Sequence, residues 1–290
     1  ADLVGFLGRR RDDVAGDLAD RAEDSPVIID GVGGILNAST DRELTVYYCK
    51  VALPHLELAL DVLVDMLRRP LFAPDEVEKE RKVILEEIKM GEDTPDEYIH
   101  EIFTATVWKD HPLGRPILGT KETIKALSHK DLLSHIERNY CPKEIVISVA
   151  GNFEHARLIE LLEAAFGRLS RPGMETRETT PVFHSAITVR KKQLEQVQVC
   201  LGFKGLQYTH EDRYANLALN TVLGNSMSSR LFQEVREQNA LAYSIYSYET
   251  TYRDTGLLTV YAGTDPANAL QALKLIMKEI RLLRDEGITA

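Results

Sequence analysis

Residues 44–47 and residues 258–261 share the sequence Leu-Thr-Val-Tyr, and an amphipathic helix is predicted after each copy, at residues 56–67 and 267–280. A repeat of this kind predicts two homologous units, because each copy folds as the same structural element. The first copy has only 43 residues before it, and the helix of the second copy has only ten residues after it. We therefore expect an intact protein of about 400 residues, with the first unit missing its N-terminal strands and the second truncated at the C-terminus.

Strand and helix patterns are mixed within both units, and this predicts the α+β class. Strands at residues 35–40 and 44–51, and again at 242–251 and 256–263, are too close for helical crossovers and should pair antiparallel. Each unit should contain a mixed, mainly antiparallel sheet with helices covering one face. Further strands are predicted at 144–150, 183–190 and 197–203, and helices at 54–69, 74–91, 95–107, 128–140, 154–169, 210–223 and 228–238.

A polar segment at residues 170–181, with two prolines and a glycine, is predicted to link the two units. The predicted domains are therefore residues 1–172 and an incomplete second domain at residues 182–290. Residues 1–30 are atypical of the rest. Within residues 8–24, 14 of the 17 residues are Arg, Asp, Ala or Gly, so a helix there would have a thin apolar face.

Composition excludes several classes of partner. A formal net charge of -10 disfavours nucleic-acid binding, because phosphate recognition relies on clustered Lys and Arg. Three scattered cysteines are too few for a disulfide framework or a Cys-rich zinc site, which favours a reducing compartment. No apolar run approaches the roughly 18 residues of a membrane helix. We expect neither nucleic acid nor membrane as a partner.

Two carboxylates on one predicted helix are candidates for chemistry. Seven residues at about 100° each bring Glu80 and Glu87 almost into register, roughly 10 Å apart along the helix. If their stripe faces the core, as Val77 and Ile84 indicate, both carboxylates are partly buried and require cations, donors or a metal. The alternative is that they form salt bridges on a charged helix, and spacing alone favours this simpler interpretation.

Several motifs in collinear order resemble one known family. They are GGILNAST at residues 33–40, ERKVILEE at 80–87, DHPLG at 110–114, NYCP at 139–142 leading to VAGN at 149–152, and SSRLF at 228–232 leading to Ala242 and Tyr243. Together they resemble the pitrilysin/insulinase family of inverted-motif zinc metallopeptidases, in particular the mitochondrial-processing-peptidase-like branch and its bacterial relatives. The resemblance covers about residues 31–290. It implies a Zn²⁺-dependent hydrolase that closes around extended or unfolded peptides.

The resemblance also implies roles for individual residues. In the family, a helix with the motif H-x-x-E-H supplies two histidine ligands and a general base, and a distant glutamate is the third zinc ligand. Glu87 corresponds to that ligand and Glu80 to a supporting carboxylate. Arg236 and Tyr243 correspond to an arginine and a tyrosine that hold the substrate at the reacting centre. Residue type alone also fits an arginine at a helix C-terminus and a half-buried strand tyrosine.

Family members bind substrate as an added strand, which makes recognition largely independent of the substrate's sequence. By resemblance, the edge that accepts this strand is formed by Leu36, Asn37 and Ala38. These three residues are therefore the predicted substrate-binding residues.

The metal motif itself is missing. Counting back from Asn37, H-x-x-E-H should begin near position 8, where the sequence reads GRRRD, and none of the eight histidines forms the motif or its inverse. Catalytic zinc usually has three protein ligands, so Glu87 alone should not retain it. A frame slip in GC-rich coding sequence would explain the loss, with the family pattern resuming near Asp30. A genuine non-catalytic paralogue would explain it equally.

We therefore expect a member of the metalloendopeptidase family that is inactive alone. The alternative is a non-catalytic peptide-binding or structural subunit that supplies Arg236 and Tyr243 to an active partner, and a third possibility is a stand-alone peptide-binding module. Related subunits pair in this family, so a homodimer or heterodimer is expected. The bacterial cytoplasm is the expected compartment, with the mitochondrial matrix as the alternative. The negative charge predicts a preference for basic peptides.

Overall fold

The computed structural model describes residues 25–167, 169 and 179–288. They form two compact units, each assembled from two stretches of chain. The first unit contains the described residues up to Ile88 and those between Ile117 and Glu178. The second unit contains Lys89–Pro116 and the described residues from Thr179 onward. The homologous domains expected at 1–172 and 182–290 stay a prediction. The atypical residues 8–24 and most of the predicted linker lie outside the described residues.

Most helices and both antiparallel hairpins occur where the sequence patterns predict them. Helices at Ser25–Gly31 and Lys121–Ala126 were not predicted, and the helix predicted at 228–238 is a π-helical turn at Phe232–Gln238. The helices are α1 Ser25–Gly31, α2 Leu56–Arg68, α3 Pro74–Glu92, α4 Pro95–Val107, α5 Lys121–Ala126, α6 His129–Asn139, α7 His155–Phe166, α8 Arg213–Leu223 and α9 Ala269–Glu286. The strands are β1 Ile35–Thr40, β2 Thr45–Lys50, β3 Val197–Lys204, β4 Ser244–Thr251 and β5 Gly256–Thr264. The α+β prediction is confirmed.

Two predicted strands are wrong. Residues 144–150 and 183–190 contain no β-strand, although both carry β-branched residues. Val146 is 91% exposed and Ile187 is 95% exposed, and neither segment pairs with a described strand. A strand needs a neighbour for its backbone N–H and C=O groups, so propensity without a partner leaves an extended segment.

In the first unit, β1 and β2 form an antiparallel hairpin that packs on α1 and α2. Gly33 adopts a positive φ of 70° before the hairpin, which a glycine accommodates without steric cost. Ile29, Ala59 and Val62 form the buried core beneath the two strands, and Leu36 packs against them. This packing leaves alternate residues of β1 exposed.

The helix α3 is held by its apolar stripe and by one arginine. Val77 and Ile84 are buried in a core shared with α5 and α6. The guanidinium of Arg81 donates hydrogen bonds to the carbonyl oxygens of Ile124 and Leu127, at the C-terminal end of α5. These carbonyls have no partner within their own helix, so Arg81 satisfies them while it fixes the position of α3.

The second unit is built around an antiparallel sheet with strand order β3-β5-β4. One face packs on α8 and α9 through a core that includes Leu223, Val260 and Ile276. The other face is covered by α4, where the ring of Phe103 lies over Gly202 so closely that a Cβ there would be 2.3 Å from it. Helices therefore cover both faces of this sheet, whereas the sequence predicted one covered face.

Candidate functional site

Arg236 and Tyr243, which are predicted to hold the substrate at the reacting centre, are positioned by a π-helical turn at Phe232–Gln238. Val235 is fully buried and anchors the turn, and the amide of Leu241 donates to the Val235 carbonyl oxygen. Between them Ala240 adopts a positive φ of 50°, which reverses the chain direction. This reversal brings Tyr243 back toward Arg236. Single π-turns of this kind are frequent at functional sites.

Arg236 lies against two aromatic rings. Its guanidinium carbon is 4.9 Å from the ring centroid of Tyr243 and 4.7 Å from that of Phe232. Its Nε is 3.6 Å from a carboxylate oxygen of Glu237. The structure thus brings the two sequence-predicted residues together. It adds Phe232, the last residue of the SSRLF motif, for which no role was predicted. The spacing of four residues between Phe232 and Arg236 is the sequence signal that favours this contact.

The exposure of Tyr243 separates the two interpretations of this residue. A half-buried strand tyrosine was the structural expectation, but Tyr243 precedes β4 and is 74% exposed. Arg236 does occupy the last turn of its helical segment, as the structural interpretation expected. Arg236 therefore has a favourable position near the end of its helical segment, and it lies beside Tyr243, whose exposed side chain can contact a ligand.

The two carboxylates of α3 have different environments. The stripe containing Val77 and Ile84 faces the core, as predicted. Glu80 is half-buried, but Glu87 is exposed. The expectation that both carboxylates are partly buried therefore holds only for Glu80, although Ile88, the residue after Glu87, still packs against the same core.

The described residues do not fit a catalytic zinc site. Within them, no group of three or more His, Cys, Asp or Glu side chains is arranged to hold a metal ion. The position at which H-x-x-E-H was expected, near residue 8, lies outside the described residues. Since catalytic zinc usually has three protein ligands, we assign no step to a metal held by these side chains.

The predicted strand-accepting edge lies on β1. In the described residues β1 pairs only with β2, with Asn37 opposite Tyr48, so its other edge has no neighbouring strand. Asn37 is exposed, and its Oδ1 accepts a hydrogen bond from the amide of Ala38 at 2.8 Å. Leu36 and Ala38 are half-buried. The arrangement is compatible with the addition of a peptide strand.

A polar and aromatic cluster under α4 was not predicted. The Nδ1 of His100 is 2.7 Å from the hydroxyl of Tyr248 and 3.6 Å from the Sγ of Cys200, and its Nε2 is 3.2 Å from the hydroxyl of Tyr246. Burial lowers the pKa of His100, against a smaller opposite effect of Asp96. Burial also raises the pKa of Cys200 to about 12. A thiol held in its protonated form is a poor nucleophile. The contacts of His100 with Tyr246, Tyr248 and Cys200 attach α4 to the sheet.

Comparison with known families agrees with the motifs. Residues 27–121 match the family described as Insulinase (Peptidase family M16), and residues 126–290 match the Peptidase M16 inactive domain. The chain belongs to the M16 family. The resemblance to the pitrilysin/insulinase family is thereby confirmed. The assignment to its processing-peptidase-like branch stays a prediction.

Curated relatives in the M16 family carry the name zinc protease. The uncharacterized zinc protease YmxG of Bacillus subtilis is 46% identical over 262 residues, which is 90% of this chain and 64% of the relative. An uncharacterized zinc protease of Streptomyces coelicolor is 41% identical over 270 residues, covering 90% of this chain and 59% of the relative. The chain thus spans about three fifths of the length of these relatives.

Solved M16-type structures have the same fold. A protease from Helicobacter pylori superposes with a TM-score of 0.85 at 26% identity, covering 99% of this chain and 70% of that chain. A peptidase M16 inactive domain from Pseudomonas fluorescens superposes with a TM-score of 0.88 at 18% identity, covering 98% of this chain and 68% of that chain.

Among the described helices of the present chain, none is long and apolar enough to cross a membrane.

Proposed function

We propose that this chain is an M16 metallopeptidase-family protein that binds extended peptides and does not hydrolyse them alone. The observation that carries the proposal is the contact between Arg236 and the exposed ring of Tyr243. Names of zinc protease among relatives support metallopeptidase chemistry for the complete assembly. The proposal of inactivity rests on the sequence, because no H-x-x-E-H motif occurs in it and catalytic zinc usually has three protein ligands.

The chemistry of the pair suits a peptide backbone. A guanidinium presents N–H donors around its edge, and stacking against rings leaves that edge available to carbonyl or carboxylate oxygens. The Tyr243 hydroxyl can donate or accept a further hydrogen bond. These groups stabilise an oxygen that gains negative charge, which is the requirement of acyl transfer. We assign Arg236 and Tyr243 to substrate contact on this basis.

The remaining assignments follow the family resemblance. Leu36, Asn37 and Ala38 are proposed to accept the peptide as an added strand, because the outer edge of β1 has no neighbour in the described residues. Glu80 and Glu87 are proposed as the supporting carboxylate and the third zinc ligand of a complete site. The exposure of Glu87 leaves its carboxylate accessible to such a site.

A second candidate is a non-catalytic subunit that supplies Arg236 and Tyr243 to an active related chain. The match of residues 126–290 to a domain described as inactive favours it. A dimer with a related chain that carries an intact H-x-x-E-H helix would then hold the Zn²⁺. The bacterial origin of the relatives favours the bacterial cytoplasm. Basic peptides should be preferred because the chain is acidic.

Peptide binding and peptide cleavage, measured separately, test the proposal. Binding is followed by the anisotropy of a fluorescently labelled extended peptide, and cleavage by a quenched fluorescent peptide with and without the zinc-holding partner. Arg236→Ala should weaken binding on the order of tenfold, the effect of one hydrogen bond to a charged group. Arg213→Ala is the matched control, because Arg213 also stacks on a neighbouring tyrosine, with its guanidinium carbon 4.4 Å from the ring centroid of Tyr214.

The outcomes separate the candidates. Equal peptide affinity for the wild type and Arg236→Ala would overturn the assigned site. Stoichiometric zinc and cleavage by the chain alone would overturn the proposal of inactivity. Cleavage that requires the partner, and that Arg236→Ala in this chain abolishes, would establish the subunit candidate.

A further inference from the structure

We infer that Phe232 is a positioning residue that holds the Arg236 guanidinium between two aromatic rings, ready to contact an oxygen of the bound peptide. The inference rests on the proposed function, in which Arg236 contacts peptide. It assigns to Phe232 a role that the family resemblance did not supply.

The π-helical turn places the two side chains together. Phe232 and Arg236 are four residues apart at the start and near the end of this turn. Leu231 and Val235, which precede each of them, are fully buried, so the backbone that carries both side chains is fixed. Phe232 is half-buried and Arg236 is partly exposed. A ring on a fixed backbone therefore lies against a guanidinium that reaches solvent, since 35% of the Arg236 side chain is exposed.

The two rings act together on the guanidinium. Its carbon lies 4.7 Å from the Phe232 centroid and 4.9 Å from the Tyr243 centroid, both within the range of cation–π contact. Tyr243 is largely exposed, so it restrains Arg236 less firmly than the half-buried Phe232 does. An arginine has many rotamers, and a restrained guanidinium loses less entropy when it binds an oxygen. Phe232 thereby preorganises the binding group.

One charged neighbour competes for the same side chain. The carboxylate of Glu237 is 3.6 Å from the Nε of Arg236, which is longer than a hydrogen bond. Without the Phe232 ring, Arg236 would be free to turn toward this carboxylate and away from the peptide. The aromatic contact keeps the donors of the guanidinium directed outward.

The test combines binding with a direct signal from the arginine. Phe232→Leu should weaken binding of the labelled extended peptide about fivefold, whereas Phe232→Tyr and Phe232→Trp should retain it, since they keep a ring under the guanidinium. In the Arg236→Ala background, Phe232→Leu should cause no additional loss, because the ring then has no cation to position. Tyr214→Leu removes a ring from the comparable Arg213 stack and should leave affinity unchanged.

A purely structural role for Phe232 would give different results. Phe232→Leu would then lower the unfolding midpoint and weaken binding equally with or without Arg236. The Nε–H resonance of Arg236 provides an independent measurement, because loss of the Phe232 ring current should shift it while the rest of the spectrum is preserved. Additive losses, or an unmoved Nε–H resonance, would overturn the positioning role. If Arg236→Ala itself leaves binding unchanged, the proposed function fails instead.

Discussion

The ion pair between Arg230 and the buried Glu279 is predicted to contribute to the stability of the second unit. The buried stripe of α9 is apolar except for Glu279, whose side chain is only 4% exposed. Both Nε and Nη2 of Arg230 contact the same carboxylate oxygen, at 3.1 and 3.0 Å. The pair joins α9 to the residues that precede the π-helical turn. Arg230→Met would leave the buried carboxylate without its cation.

The expected cost follows from burial. Removal of one partner of a fully buried pair costs about 3–5 kcal/mol, and because Arg230 is 29% exposed we reduce this to about 2–3 kcal/mol. The double variant Arg230→Met with Glu279→Met should lie within about 1 kcal/mol of the wild type, because both desolvation costs disappear together. Urea unfolding followed by fluorescence of Trp108, the sole tryptophan and a fully buried residue of the same unit, measures both values.

A surface pair on the same helix supplies the control. Arg284 and Asp285 are in contact at 2.7 Å but exposed, so Arg284→Met should leave the free energy of unfolding nearly unchanged. A cost below about 1 kcal/mol for Arg230→Met would refute the reasoning, since it would mean that water reaches Glu279. Equal destabilisation of the single and double variants would also refute it.

Three further predictions test other parts of the fold. Arg81→Ala should lower the free energy of unfolding by about 2 kcal/mol, because it removes the donors to the carbonyls at the end of α5. An unchanged midpoint in thermal or urea denaturation would contradict the role of Arg81 in fixing α3. Ala240→Gly should stabilise the chain by up to about 1 kcal/mol, since glycine adopts the positive φ at this position without strain, and a loss of stability would count against the observed turn. Burial holds the pKa of His100 below its unfolded value near 6.5, so the unfolded chain binds more protons than the folded chain between the two pKa values. The free energy of unfolding should therefore fall as the pH drops from about 6.5 toward the lower folded pKa. His100→Gln should flatten this dependence in urea titrations at several pH values, and an identical slope in both proteins would argue against the burial of His100.

Local chemistry was sufficient for most of the helices and hairpins. The helix predicted at 128–140 begins with a capping box, in which Ser128 and Asp131 have the three-residue spacing of that motif and both hydrogen bonds are present. The helix α4 begins and ends at the predicted residues, since Pro95 suits a first helical turn. The short connections between β1 and β2 and between β4 and β5 required antiparallel pairing. These features depend on residues close together in the chain, so the sequence by itself determined them, as its motifs determined the family.

Tertiary structure alone decided the features that depend on distant neighbours. Residues 144–150 and 183–190 have strand propensity, but strand formation requires a partner strand, and none adjoins them among the described residues. The helical periodicity placed Glu87 on the stripe of Ile84, yet Glu87 is exposed while its neighbour Ile88 packs against the core. The contact of Arg236 with Tyr243 depends on a π-turn and a positive φ, neither of which has a periodic signature. Burial and contact are properties of what packs against a residue, and packing is non-local, so these outcomes could be read only from the folded chain.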